Sequence, residues 1–300
     1  MRLPDASQQH ACQAVNSAAA WVEIIATAII ILFVVTPIVA QAKERTAFRV
    51  CADPNNLPFS NQAKAGYENK IAALMAHDLS LPVEYYWQPY QEGFDRLTLK
   101  GWNKKEKRYN CDIVIGTTGL DVGTTTKPYY ASTYTLVYPK GGKLGDLSSA
   151  QELVAKAHKN SALRIGVFDV GPGATWLQQN GLLTQLVPYR GQSGSRKVTP
   201  GRIVRDVADG KVDAAVVWGP IAGYYAQKYK SANLEILPLK SPGIRFDYSI
   251  SMGMRYGEDK WMRTIERLLA KDKSEIHKIL TQYNVPLVPI PKADLVRQYD

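Results

Sequence analysis

The stretch Asp112-Ile-Val-Ile-Gly116 is a short apolar run that starts at an acidic residue and stops at a glycine. A second short and mainly apolar run is Val212-Asp-Ala-Ala-Val-Val217. Strands that are covered by helices on both faces read as nearly continuous apolar runs, as in parallel sheets. The two runs therefore predict central strands of a parallel sheet and a chain of the α/β class.

Working outward from these runs, strand-like and helix-like segments alternate along the chain, which is typical of βα units. Residues 103–109 are too charged for a core and predict a solvated loop, whereas the proline-rich tail 285–291 cannot be helical and is expected along the surface. The predicted strands are 48–51, 83–87, 112–116, 134–138, 163–168, 212–217 and 249–254, and the predicted helices are 68–79, 90–99, 174–179, 200–209, 258–270 and 273–283.

The length of 300 residues suits two domains, and Pro139-Lys-Gly-Gly142 has the composition of a linker between them. We predict that residues 43–138 and 240–300 form lobe 1, and that residues 139–239 form lobe 2. The chain would then cross between the lobes twice, which makes the two crossings a hinge.

The N-terminus has the pattern of an export signal. Residues 24–35 are apolar, and Ala40-Gln-Ala42 fits a cleavage site that leaves Lys43 as the first mature residue. The apolar run is shorter than the roughly 20 residues of a membrane span. However, a long segment with only one basic residue, Arg2, precedes it, so an uncleaved anchor or a different start codon stays an alternative. We predict a signal peptide at residues 1–42, export to the periplasm and no stable membrane span afterwards.

The formal charge is +10, and residues 1–42 carry one basic and two acidic residues, so the mature chain carries +11. A basic surface favours acidic partners, although it also serves solubility in general. The sequence contains no nucleic-acid-binding motif, so we expect no nucleic acid partner.

Two of the three cysteines, Cys51 and Cys111, belong to the mature chain, and two thiols in an oxidising compartment are a candidate disulfide. The strand positions argue against the pairing, because Cys51 lies near the end of one predicted strand and Cys111 at the start of another. Both possibilities stay open. Two cysteines and four scattered histidines do not make a structural zinc site.

No pattern of a nucleophile with its base, of paired carboxylates or of a metal cluster occurs in the sequence. The mature histidines, His77, His158 and His277, lie among charged residues of predicted helices. Asp53 and Asp121 stand alone in the sequence, and a turn-forming or capping role suits them better than acid–base chemistry. We therefore predict a non-catalytic protein without metal or cofactor.

The order of these elements resembles the type II periplasmic solute-binding proteins, whose two lobes close on a solute at the carboxyl ends of their strands. Four separated motifs resemble one branch more narrowly, the solute-binding-like J proteins encoded with quinoprotein methanol dehydrogenases of the calcium and lanthanide types. The motifs are Val50-Cys-Ala-Asp-Pro-Asn-Asn-Leu-Pro-Phe-Ser-Asn61 with Tyr67-Glu-Asn-Lys-Ile71, Cys111-Asp-Ile-Val-Ile-Gly116 with Lys127-Pro-Tyr-Tyr-Ala-Ser-Thr-Tyr134, Val216-Val-Trp-Gly-Pro-Ile-Ala-Gly-Tyr224, and Phe246-Asp-Tyr-Ser-Ile-Ser-Met-Gly253.

The chain departs from the amino-acid-binding members at both charged anchors. Those members carry an Arg after the strand that matches 112–116, where it pairs with the ligand's carboxylate, but residues 117–126 contain no Arg. They also carry an Asp for the ligand's ammonium, and Trp218 stands at that place. Burying an unpaired zwitterion is costly, so we expect no ordinary amino-acid ligand.

The resemblance places the candidate residues for a cleft that binds a ligand or a partner. For each there is a plainer role: turn formation for Asn and Ser, core packing for the aromatic residues, capping for Thr, and a bare helix start for the glycines. The candidates are Asn55, Asn56, Phe59, Ser60, Phe94, Thr117, Thr118, Tyr129, Tyr130, Gly171, Gly173 and Trp218.

The resemblance implies a periplasmic accessory protein of a PQQ-dependent methanol (alcohol) dehydrogenase, which binds the large dehydrogenase chain and assists its maturation or activation in a chaperone-like way. The alternative is an ABC-transporter solute-binding protein. An aromatic, uncharged cleft would then favour a small neutral or apolar solute.

Overall fold

The computed structural model describes residues 45–120, 122–191 and 194–295, and within them strands and helices alternate as predicted. The predicted signal, residues 1–42, lies outside the described residues. The strands are β1 (Phe48–Ala52), β2 (Asn55–Asn56), β3 (Ser60–Asn61), β4 (Val83–Trp87), β5 (Trp102–Asn103), β6 (Arg108–Tyr109), β7 (Ile113–Thr117), β8 (Gly123–Thr125), β9 (Tyr130–Pro139), β10 (Ile165–Phe168), β11 (Leu186–Tyr189), β12 (Ala214–Trp218), β13 (Leu234–Pro238), β14 (Asp247–Arg255) and β15 (Leu287–Val288). The α-helices are α1 (Tyr67–Asp78), α2 (Phe94–Thr98), α3 (Ala150–Lys159), α4 (Pro172–Gln179), α5 (Arg202–Ala208), α6 (Gly219–Lys228), α7 (Asp259–Lys271), α8 (Lys273–Gln282) and α9 (Lys292–Leu295).

Two parallel regions are joined by a pair of long antiparallel strands in the order β11-β10-β12-β9-β14-β7-β1-β4. Strand β1 pairs in parallel with β4 and β7, and β10 pairs in parallel with β11 and β12. The first half of β9 pairs with β14, and its second half pairs with β12 and β13. The predicted α/β fold with two lobes and two crossings is confirmed, and β9 and β14 are the crossings. The lobe boundaries at residues 139 and 240 stay predictions.

The first lobe is built on strands whose side chains alternate between two cores. In β1, Phe48, Val50 and Ala52 face a large cluster with helices α1, α7 and α8. Cys51 faces the other side, where it packs with residues of α2 and β7. Because both faces are covered, the central strands of this lobe are apolar over most of their length, which is the signal that the sequence carries.

The second lobe repeats this arrangement around β12. Ala214 and Val216 face one helix layer, and Ala215 and Val217 face the other. On the first side the fully buried Trp176 of α4 contributes the largest side chain, and on the second side α5 and α6 supply the packing residues. No helix in the described part of the chain is long and apolar enough to cross a membrane.

Several elements differ from the sequence-based prediction. The charged stretch 103–109 is closed by the β5–β6 hairpin, and α2 is only five residues long because Gly93, at φ +71°, sets its start. The tail does not simply lie on the surface: β15 pairs with β9, and Val285 is buried. Strands β11 and β13 were not predicted.

Cys51 and Cys111 form a disulfide with a Cα–Cα distance of 5.3 Å. The objection from strand ends was wrong, because Cys111 lies outside β7, two residues before its start, where the chain bends beside β1. The backbone N–H of Asp112 donates to the carbonyl oxygen of Arg49 at 2.8 Å, which holds this turn. The guanidinium of Arg255 donates to the carbonyl oxygen of Cys111 and pairs with the buried Asp112 carboxylate at 2.7 Å.

Candidate functional site

A cavity of about 430 Å³ lies where strands of both lobes end. The ends of β1 and β7 contribute from the first lobe, and the ends of β10 and β12 contribute from the second. Loops and helix N-termini meet at the carboxyl ends of parallel strands, which is why open α/β sheets bind ligands there.

Nine of the twelve candidate residues line this cavity. They come from separate segments of the sequence, and the fold brings them together at one place. The nine are Asn56, Phe59, Ser60, Phe94, Thr117, Thr118, Tyr130, Gly171 and Trp218.

The other three candidates do not line the cavity and make contacts elsewhere in the described structure. The Asn55 side chain donates to the carbonyl oxygen of Arg196 at 2.8 Å, and the Tyr129 hydroxyl donates to the carbonyl oxygen of Ile115 at 3.0 Å. Gly173 lets α4 approach β12, since a Cβ there would lie 2.8 Å from a side-chain carbon.

Three aromatic rings form the cavity wall at the crossing strands. Trp218 lies 5.2 Å from Tyr134 and 6.0 Å from Tyr248 between ring centroids, and the two tyrosine rings are 6.0 Å apart. Gly171, at φ +135°, lets its loop pass within contact distance of the Tyr134 hydroxyl. Burial raises the pKa of Tyr134 to about 12, so it keeps its proton at neutral pH. The candidate set lacked four of the aromatic lining residues, namely Tyr90, Tyr134, Phe168 and Tyr248.

Asp53 forms the turn that the sequence indicated, and it also lines the cavity. Its carboxylate accepts hydrogen bonds from the backbone N–H groups of Asn55 at 2.6 Å and Tyr90 at 2.5 Å. Burial raises the pKa of Asp53, although these two donors and the charge of Arg196 oppose the shift. Asp121, the other isolated aspartate, lies outside the described residues.

Glu68 is the functional candidate that sequence reasoning missed. It is the second residue of α1, it lines the cavity, and its carboxyl lies against the backbone of Gly116, where a Cβ would overlap it. Burial, helped by the nearby Asp53 carboxylate, raises the pKa of Glu68 to about 8. No side chain or backbone group of the described residues donates a hydrogen bond to its carboxyl. The signal that could have identified it was a first-turn acid opposite a glycine at a strand end.

The cavity is therefore aromatic but not uncharged, and this corrects the sequence-based expectation. It contains two carboxyl groups, while no Lys, Arg or His of the described residues lines it. Within the described ranges no group of three or more His, Cys, Asp or Glu residues is placed to hold a metal ion.

Comparisons with known proteins agree with this geometry. No family model matches the chain. The crystal structure of the periplasmic binding protein XoxJ from Methylobacterium extorquens AM1 is 30% identical, with a TM-score of 0.63 over 81% of this chain and 100% of that one. Protein MoxJ of Paracoccus denitrificans is 27% identical over 82% of this chain and 91% of its own length. Protein MoxJ of Methylorubrum extorquens is 28% identical over 84% and 85% respectively.

Proposed function

Because the chain belongs to the type II periplasmic binding proteins, in the branch of XoxJ and MoxJ, we propose that it is a periplasmic accessory protein of a PQQ-dependent methanol dehydrogenase system. It would bind the large dehydrogenase chain and assist its maturation or activation. The observation that carries this proposal is the similarity to XoxJ, which extends over the whole length of that protein. Export by the N-terminal signal is part of the same proposal.

The cavity supports this proposal by disfavouring the common alternative within the fold. An amino-acid ligand needs a cation for its carboxylate, but the described residues that line the cavity at the end of β7 and after it, Thr117, Thr118 and Gly119, are uncharged. At the end of β12 stands the half-buried Trp218. A buried carboxylate without a counter-ion is strongly disfavoured, so an ordinary amino acid does not fit this site.

An exposed aromatic pair offers a contact surface for the dehydrogenase. Trp102 is 52% exposed and packs edge-on against Tyr109, with their ring centroids 5.1 Å apart across the β5–β6 hairpin. The Arg255 guanidinium lies over the face of the Tyr109 ring, 4.2 Å from its centroid. Residues 103–109 of this hairpin add four basic residues and one acidic residue. Exposed Trp and Tyr beside basic groups are typical of binding hot spots for acidic surfaces.

The proposal is tested by native mass spectrometry of the purified protein mixed with the dehydrogenase, both with and without its quinone and metal. We expect a complex that favours the unloaded enzyme, and at least about a tenfold loss of affinity for Trp102→Ala. Leu183→Ala is the matched control, because Leu183 is also an exposed apolar residue, 57% exposed, but lies in the second lobe. If neither form of the dehydrogenase binds, the accessory role is wrong.

A solute receptor is the second candidate, and the size of the cavity favours it. A volume of about 430 Å³ with eight aromatic residues in its walls is in the range of ligand sites. A small molecule that stays bound through purification, together with a rise in Tm when it is added back, would support this reading.

A further inference from the structure

One carboxyl group in the cavity has no partner in the described chain, and this feature is independent of any dehydrogenase. We propose that the cavity binds a small organic cation with N–H donors, a primary or secondary alkylammonium, with Glu68 as its counter-ion and the aromatic wall around its apolar part. The inference goes beyond the proposed function and does not rest on it.

The two carboxyl groups of the cavity, Asp53 and Glu68, differ in their hydrogen-bond partners. Both oxygens of Asp53 already accept from backbone N–H groups, so that carboxylate is occupied by its own turn. Glu68 has no such donor among the described residues, although it is half-buried and faces the cavity. An ionised carboxylate accepts several hydrogen bonds, and a buried one without them is unfavourable. An ammonium group supplies both the donors and the charge that Glu68 lacks.

The charges around Glu68 favour a cationic ligand. In the part of the chain that the structure describes, Glu68 interacts with the carboxyl of Asp53 and with the hydroxyl groups of four tyrosines, and none of these groups can carry a positive charge. Tyr67 lies on the same helix, and the other three, Tyr85, Tyr129 and Tyr130, lie on β4 and around the start of β9. Arg196 acts on Asp53 and does not line the cavity. An anionic ligand would be repelled here, whereas a cation would neutralise the site.

The aromatic wall of the cavity suits the apolar part of such a ligand. Aromatic rings attract cations through their faces and pack well against alkyl groups. Trp218, Tyr134 and Tyr248 form a continuous wall, with 5.2–6.0 Å between ring centroids. A cavity of about 430 Å³ accepts a ligand with several carbon atoms in addition to its ammonium group. The ligand class is therefore a compact amine with an apolar body.

The test is isothermal titration calorimetry of the full protein with cyclohexylmethylamine and with cyclohexylmethanol, which has the same carbon frame and no charge. An alkylammonium stays protonated up to about pH 10. Because burial raises the pKa of Glu68 to about 8, the amine must displace a proton at lower pH. Its affinity should rise about tenfold between pH 6 and pH 7 and level off above about pH 8. The alcohol should bind at least about tenfold more weakly at pH 8.

Variants decide whether Glu68 is the group involved. Glu68→Gln keeps the shape of the side chain and should lose both the amine affinity and its pH dependence. Glu275→Gln, on an exposed side chain of α8, should behave as the wild type. The inference is overturned by equal binding of amine and alcohol, by an affinity that falls as the pH rises, by unchanged binding in Glu68→Gln, or by no binding of the amine at millimolar concentration. If Glu68→Gln does not fold, the amine–alcohol comparison and the pH profile of the wild type still decide.

Discussion

Glu68→Gln should also change how stability depends on pH in the absence of any ligand. The pKa of Glu68 is about 8 in the folded chain, against an ordinary value of 4.5. Since the folded pKa lies above the unfolded one, the folded state holds the proton more tightly. The contribution of this group to stability is therefore fully present below about pH 4.5 and is lost as the pH rises through about 8.

The size of this loss follows from the shift. A tenfold change in proton affinity corresponds to about 1.4 kcal/mol, so raising the pKa from 4.5 to about 8 costs at most about 5 kcal/mol. Glu68 keeps contact with the cavity, and solvent there lowers the cost of its charge. We expect the wild type to lose about 2–5 kcal/mol between pH 4.5 and pH 8.5 through this residue alone. Glutamine carries no charge at either pH and avoids the loss.

Equilibrium unfolding in denaturant between pH 4.5 and pH 8.5 measures this contribution as the difference between Glu68→Gln and the wild type. Groups with a raised pKa that do not interact with Glu68, such as Asp272, titrate in both proteins and cancel to first order in the difference. The variant should gain stability over the wild type as the pH rises from 4.5 to 8.5. A difference for Glu68→Gln that does not change with pH would refute the reasoning.

Three further substitutions test the disulfide, the buried ion pair and the close helix–strand packing described above. Replacing Cys51 and Cys111 together by Ala opens a loop with a sequence separation of 60 residues and should lower the free energy of unfolding by about 4 kcal/mol. A Tm that does not respond to reductant would contradict this. Arg255→Met leaves the buried Asp112 carboxylate without its closest cation and should cost about 3–5 kcal/mol, which Arg255→Met with Asp112→Leu should largely restore. Gly173→Ala forces a Cβ to within 2.8 Å of a β12 side chain and should cost about 1–3 kcal/mol, measured by thermal unfolding, and no change would mean that α4 shifts freely.

The elements that carry a strong local signal were predictable from the sequence. Ile113–Thr117 and Ala214–Trp218 are buried on both faces, and their apolar runs marked them within one or two residues. The missed strands have a physical reason as well. Leu186–Tyr189 is an edge strand that contains a proline, and Leu234–Pro238 ends in one and pairs only with β9. Proline is tolerated at edges, so the same residue that signals a loop in the sequence also occurs in such strands.

The site was predictable only in part, because the surroundings of some of its residues depend on contacts between segments that are distant in the sequence. The polar and aromatic residues that follow strand ends were found by the order of elements. Glu68 was not, because its burial depends on Gly116, which lies far along the chain and makes room for the carboxyl. The disulfide was left open for a similar reason: the turn before β7 that brings Cys111 to Cys51 has no local signal.

The position of the cavity between the lobes links its occupant to the arrangement of the lobes. Phe59 and Trp218 each pack against the cores of both lobes, and the hydrogen bond from Asn55 to Arg196 also joins segments that are far apart in the sequence. A ligand held between Glu68 on the first lobe and Trp218 on the second would stabilise the arrangement that brings them together. If the dehydrogenase binds that same arrangement, each ligand must raise the affinity of the other by the same factor, because the coupling free energy is shared. Measuring dehydrogenase affinity with and without a bound amine would therefore show whether the cavity regulates the partner, and equal affinities would mean that the two sites act separately.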